Sequence, residues 1–117
     1  MKNRAFRHRL SFALAGWRHA FRNERSFRTH LVFAGLALAA LIFFRPPLVW
    51  WALVGLVAAL VLCAELFNSA IEELADLVHP EIHDKVKAIK DLAAGAVLIA
   101  ALAALWVGGF MIVSVLI

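Results

Sequence analysis

Residues 48–76 read LVWWALVGLVAALVLCAELFNSAIEELAD. The stretch from Leu48 to Ala64 carries no charge, and no Gly or Pro interrupts residues 65–76, so one helix runs from an apolar block straight into a polar one. At about 100° per residue, Glu65, Asn68, Ser69, Glu72 and Asp76 fall within roughly one third of the circumference. Leu66, Phe67, Ala70, Ile71 and Leu74 cover the rest. A helix that simply leaves a membrane scatters its charges towards water. This one gathers carboxylates and an amide into a narrow stripe, and like charges so close together repel. A divalent cation held by oxygen ligands is the simplest compensation. The plainer reading is a solvated helix end with Lys90 paired to an acid. Spacing alone leaves both open.

The remainder of the chain fits a membrane setting. Of its 117 residues 64% are hydrophobic and 17% charged, well away from the composition of an ordinary soluble domain. Two further uncharged runs flank the central one, Leu31–Phe44 and Leu92–Ile117, and Arg45-Pro46-Pro47 forms a tight extended turn between the first and second. The chain therefore reads as one integral-membrane domain over 1–117, with spans at 29–45, 48–66 and 92–117, a surface-helix region at 1–28 and a polar connection at 67–91. So short a chain has no room for a separate catalytic domain. Cys63, the only cysteine, excludes an internal disulfide and any cysteine-based zinc cluster, leaving His, Asp and Glu as possible metal ligands.

Charge is distributed unevenly. Residues 1–28 carry Lys2, Arg4, Arg7, Arg9, Arg18, Arg22, Arg25 and Arg28 against Glu24 alone, whereas residues 65–91 hold seven of the eight acids. Apart from Arg45, every Lys and Arg precedes the first span or lies between the second and third, which predicts a cytoplasmic N-terminus in the bacterial inner membrane. Within 1–28, Phe6, Leu10, Ala13, Leu14, Trp17 and Phe21 recur at helical spacing, with Arg4, Arg7, Arg18 and Arg22 on another side, as in an interfacial amphipathic helix. A basic chain also suits nucleic acid, but so much apolar sequence points its arginines at anionic lipid headgroups instead, so no nucleic-acid partner is expected. A cleaved secretory signal is not expected either, because the apolar run begins too late.

Carboxylates to hold magnesium, a carboxylate to take a proton and cationic side chains nearby are what phosphoryl transfer requires. In the helix predicted after Val78-His79-Pro80, Lys87, Lys90, Asp91 and Ala94 share a face. No glycine-rich nucleotide loop is present, so nucleotide phosphates would be held through metal and side chains. The competing class is a non-enzymatic membrane subunit or ion-coupled carrier that uses Glu65 in a polar pathway.

Glu65-Leu-Phe-Asn68-Ser69-Ala70-Ile71-Glu72, then Asp76, Pro80-Glu81-Ile82-His83 and Ala88-Ile89-Lys90-Asp91-Leu92-Ala93-Ala94-Gly95-Ala96-Val97, together with Glu24-Arg25-Ser26-Phe27-Arg28, resemble the small prokaryotic diacylglycerol kinase family, which includes undecaprenol kinases. The resemblance spans nearly the whole chain. It implies an all-α membrane protein with an N-terminal amphipathic surface helix and three transmembrane helices, assembled as a homotrimeric bundle with active sites shared between subunits. The implied reaction is phosphate transfer from ATP, with Mg2+, to a lipid alcohol. By position, Glu65 resembles the catalytic base, and Glu24 and Glu72 resemble the metal carboxylates. Gly16, Glu24, Arg28, Asn68, Glu72, Asp76, Glu81, His83, Lys90 and Asp91 match nucleotide-site positions, and Glu65 and Ala94 match positions facing the lipid. His30 stands where diacylglycerol-specific members have an acid, Ala94 where they have a serine and Lys87 where they have a glycine. His30 and the K-D-x-A-A-G-A-V form resemble the undecaprenol kinase branch, so undecaprenol is the expected acceptor and diacylglycerol the alternative.

Overall fold

A computed structural model describes residues 5–79, 81 and 83–117. Lys2, Arg4, Pro80 and Ile82, which contribute to the basic run and the motifs above, lie outside the described residues. Four helices occur in chain order: α1 Phe6–Asn23, α2 Arg25–Phe44, α3 Leu48–Val78 and α4 Asp84–Leu116. The described residues contain no strand. Three helices, α2, α3 and α4, are long and apolar enough to cross a membrane. At 1.5 Å per residue, α3 and α4 run about 46 and 50 Å, against about 30 Å of bilayer hydrocarbon. Each therefore projects a polar end beyond the apolar zone.

α2 and α3 form a helical hairpin. Arg45 closes α2 in the left-handed region at φ 47°, its N–H donating to the Leu41 carbonyl at 2.9 Å. Pro47 then caps α3, where its missing N–H costs nothing, and Trp51 Nε1–H donates back to the Pro46 carbonyl at 3.2 Å. α3 packs along α4, α2 packs against α3, and α1 touches both α2 and α3. Val54, Val61, Leu41, Phe27, Ala93 and Met111 fill the seams between helices. Large apolar side chains such as Leu48, Leu60, Leu98, Trp106 and Phe110 stay exposed, as expected where the surrounding medium is hydrocarbon or another apolar surface.

Among the described residues up to 28, α1 ends at Asn23. The chain breaks at Glu24 (φ −114°, ψ 105°), and residues 25–28 already belong to α2. No Gly or Pro marks this break. It is held by side chains that reach back to the last turns of α1: Arg28 Nη1 donates to the otherwise free Phe21 O at 2.7 Å and Arg22 O at 3.3 Å, and Asn23 Nδ2 donates to His19 O at 2.9 Å. The face of α1 turned to α3 also differs from the expected apolar stripe. Ala13, Gly16, Trp17 and Ala20 meet α3, while Phe6, Leu10, Leu14 and Phe21 remain exposed for the membrane interface.

If Arg28 holds the end of α1, Arg28→Met should loosen that end without unfolding the hairpin. Losing its hydrogen bonds is worth about 1 kcal/mol, so amides at 19–24 should exchange roughly fivefold faster. Those of α3 at 54–61 should keep their rates, which hydrogen exchange in detergent will show.

Candidate active site at the polar end of the bundle

The stripe on α3 is a gradient of burial. Glu65 is 2% exposed and Ser69 is buried, Asn68 and Glu72 are half-buried, and Asp76 is exposed. An ionised carboxylate at such depth costs several kcal/mol unless paired or hydrogen-bonded. The first turns of α2 supply the partners. Ser26 Oγ–H donates to Glu65 Oε1 at 2.9 Å, and His30 Nδ1 lies 2.8 Å from the same oxygen. Glu65 is therefore tethered beneath the first turns of α2.

One turn along, Asn68 Nδ2 donates to Glu72 Oε1 at 3.4 Å, while Asn68 Oδ1 is buried with no partner among the described residues. An orphaned buried amide oxygen beside a carboxylate is an arrangement that a cation or a ligand donor would satisfy. Glu24 sits at the α1–α2 break and Glu72 on α3, and among the described residues no three His, Cys, Asp or Glu side chains converge as a metal site. That donor set suits magnesium bound by one or two carboxylates plus phosphate oxygens, and does not suit an ion enclosed by protein alone.

At the polar ends of α3 and α4, Asp76, His79, Glu81, His83, Val86, Lys87, Lys90 and Asp91 line a pocket of about 260 Å³. Five expected nucleotide residues, Asp76, Glu81, His83, Lys90 and Asp91, thus come together. Lys90 Nζ pairs with Asp76 across the two helices, and Lys87 Nζ donates to Asp91 at 2.7 Å. The adjacent Asp91 carboxylate raises the Lys87 ammonium above its ordinary pKa. His83 caps α4, accepting the Lys85 N–H at Nδ1 at 3.1 Å, and its ring lies 5.1 Å from that of His79. Ala94 is exposed one turn beyond Lys90.

Besides Glu24, Asn68 and Glu72, described above, Gly16 and Arg28 of the expected nucleotide residues also lie outside this pocket. Arg28 is engaged with the end of α1. Gly16 lines a second cavity of about 330 Å³ between α1 and α3, together with Ser69 and Glu73, where His19 Nε2–H donates to Glu73 Oε1 at 2.8 Å. A Cβ on Gly16 would meet nothing within 4 Å in this chain. Sequence reading missed Ser26 as a partner of Glu65 and saw His30 only as a departure from a pattern. A usable signal existed. Ser26 lies nineteen residues before Arg45 and Glu65 eighteen after Pro47, so a tight hairpin brings them level, with His30 one turn from Ser26.

The fold and this acidic, helix-borne site define a small all-helical membrane protein with a polar pocket at one end. The profile of prokaryotic diacylglycerol kinases matches residues 11–112, and the chain belongs to that family. It is 42% identical over 105 residues to the diacylglycerol kinase of Synechocystis sp., covering 86% of this chain and spanning 58% of that relative's length. It is also 35% identical over 109 residues to the undecaprenol kinase of Bacillus subtilis, covering 91% of this chain and 85% of that one.

Lys90 and Asp76 form an ion pair between side chains that are 35% and 62% exposed, so Lys90→Met should change the unfolding midpoint little, by less than about 1 kcal/mol of stability. ATP binding by the same variant should fall at least about tenfold, in line with a lost charge-assisted contact to phosphate. Thermal unfolding and nucleotide titration on one preparation will separate the two effects.

Proposed function

We propose that this chain is an ATP-dependent kinase of a membrane lipid alcohol, with undecaprenol the preferred acceptor. The observation that carries the reading is the Glu65 carboxylate, buried in the bundle with Oε1 tied down, on the same helix stripe that leads through Asn68 and Glu72 to the Asp76–Lys90 pocket. A proton acceptor within the bundle and a phosphate-sized polar pocket at its end are the two halves of a site that joins a lipid hydroxyl to a nucleotide.

In the proposed reaction the lipid hydroxyl oxygen attacks the γ-phosphorus and the bond to the β–γ bridging oxygen breaks. ADP leaves, and Glu65 takes the hydroxyl proton, giving a lipid phosphate monoester. Lys90 meets phosphate charge, held in place by Asp76. Asp91, Glu81 and His83 shape the nucleotide end, and Asn68 offers its unpartnered oxygen beside Glu72. Gly16 and Arg28 belong to the α1 side of the nucleotide site. Magnesium bound at Glu24 and Glu72 would neutralise charge on the phosphates.

Assembly as a homotrimer completes this site. The wide apolar faces left open on α2 and α4, and the absence among the described residues of any three converging metal ligands, support shared sites built from neighbouring subunits. Ala93, Ala94, Gly95 and Ala96 allow close helix contact there. The positive charge of 1–28 supports a cytoplasmic N-terminus in a bacterial inner membrane, which puts the nucleotide pocket on the ATP side. Undecaprenol is favoured by Ala94 and His30, because an apolar site without a serine hydroxyl loses nothing against a prenol. Diacylglycerol is the second reading, favoured by the name of the Synechocystis relative.

Phosphorylation of undecaprenol and of a diacylglycerol, measured side by side in mixed micelles, tests this directly. We expect the higher kcat/KM with undecaprenol, a gap narrowed by Ala94→Ser, and loss of at least about 10²-fold in turnover with Glu65→Gln. Wild-type turnover in a folded Glu65→Gln variant would remove Glu65 from the reaction. Better use of diacylglycerol would reverse the acceptor order alone. Glu24→Gln and Glu72→Gln should each raise the magnesium concentration needed for half-maximal rate.

A further inference from the structure

Little holds α1 to the bundle. It lies against α2 and α3, yet Ala20 is its only buried residue, and a cavity of about 330 Å³ separates part of it from α3. Gly16 lines that cavity, and a Cβ there would meet nothing within 4 Å, so the seam is loose where α1 faces α3. The helix also carries exposed Phe6, Leu10, Leu14 and Phe21, which draw it towards the membrane interface. Among the described residues one side-chain hydrogen bond joins α1 to α3. It runs from His19 Nε2 to Glu73 Oε1 at 2.8 Å, and both residues line the cavity.

The chemistry of the neighbours assigns the hydrogens. A carboxylate only accepts, so Nε2 is the donor. On the other side of the ring, Asn23 Nδ2 lies 3.2 Å from His19 Nδ1 and donates to the His19 carbonyl at 2.9 Å, which fixes the direction of its amide. Facing a donor, Nδ1 is the bare nitrogen, and the neutral ring satisfies both neighbours. His19 stands one turn after Gly16 and five residues before Glu24, and Glu73 directly follows Glu72 on α3.

From this arrangement we infer that His19 is a positioning residue: its Nε2–H bond to Glu73 latches α1 onto α3 and sets where α1 carries Gly16 and Glu24. The inference rests on the proposed place of those two residues in the nucleotide site, and adds the contact that holds them in register with Glu72. A bond between two largely exposed side chains contributes little to folding. Across a loose seam it has little to compete with. When two placements of a helix are close in free energy, one hydrogen bond shifts their populations severalfold.

Two measurements on the full chain in nanodiscs test this. The first needs no turnover. Ser69 is buried on α3 and lines the cavity beneath α1, so a water-soluble maleimide should label a Ser69→Cys, Cys63→Ala protein slowly. Adding His19→Ala should speed labelling at least about fivefold, Glu73→Ala should do the same, and the two together should add nothing further. His19→Gln, whose amide N–H stands where the imidazole Nε2–H was, should keep the slow rate. The second measurement leaves Ser69 and Cys63 in place. His19→Ala should weaken ATP binding and raise KM for ATP at least about fivefold, with kcat and the KM for the lipid alcohol within about twofold. His19→Gln should bring ATP binding back to within about twofold of wild type.

Unchanged labelling in His19→Ala, or additive effects of the two alanine substitutions, would overturn the latch. Faster labelling with unchanged ATP affinity would overturn the positioning role, as would a loss confined to kcat or to the lipid KM. Failure of His19→Gln to rescue overturns the neutral hydrogen bond on which the role depends. If the wild-type protein phosphorylates no lipid alcohol, the kinase reading fails, and labelling with ATP titration still decides the role of His19.

Discussion

Glu65 places a carboxylate where 2% of the residue remains exposed, directly after the uncharged run Leu48–Ala64. Left alone there, the charge would cost several kcal/mol. The rest of the chain is arranged so that it is not alone. Ser26 and His30 must reach it from α2, so α2 must already be helical at Arg25, which in turn requires α1 to end at Asn23. That end is stabilised by Arg28, whose side chain donates to the Phe21 and Arg22 carbonyls that the helix leaves unpaired, and by Asn23, whose side chain reaches back to the His19 carbonyl. The hairpin at Arg45-Pro46-Pro47 sets the register that brings Ser26 and Glu65 level. A strained Arg45 at φ 47° is tolerated because the turn has almost no other way to close.

From Glu65 outwards the stripe on α3 passes from tethered to half-buried to exposed, and the character of each interaction changes with it. Near Glu65 the hydrogen bonds are shielded and bear directly on orientation. At Asp76 and Lys90 the pair is largely open to solvent and contributes little to stability, so a charged ligand competes for it easily. Between them, the Asn68 oxygen has no partner among the described residues, and α2 and α4 leave wide apolar faces exposed. A single chain presents the parts of a site without enclosing it.

The family match runs over residues 11–112, which takes in most of α1, all of α2 and α3 and most of α4, so the tethered carboxylate and the polar pocket both fall inside it. The two relatives are named for different lipid alcohols. Belonging to the family therefore does not by itself fix the acceptor.

Much was legible from sequence because it depends on local periodicity and on solvent. Uncharged runs of helical length, Pro-Pro between two of them and a stripe of Glu65, Asn68, Ser69, Glu72 and Asp76 specify three spanning helices and the polar end of the second without reference to anything distant. The meeting of Asp76 with Lys90 was within reach because the connection between α3 and α4 is short, and that of Lys87 with Asp91 because they stand four residues apart on α4. The break at Glu24 was not legible, because no breaker residue makes it. Arg28 and Asn23 hold it by reaching back to carbonyls once α1 lies against α3. Spacing across the tight hairpin sets Ser26 level with Glu65, but it did not show that the face of α2 bearing Ser26 and His30, 39 and 35 positions earlier, closes over the carboxylate. Helical periodicity tells which residues share a face, but it carries no information on which face of another helix comes to lie opposite. That pairing is fixed only when α2 and α3 pack, and the burial of one carboxylate decides how they do.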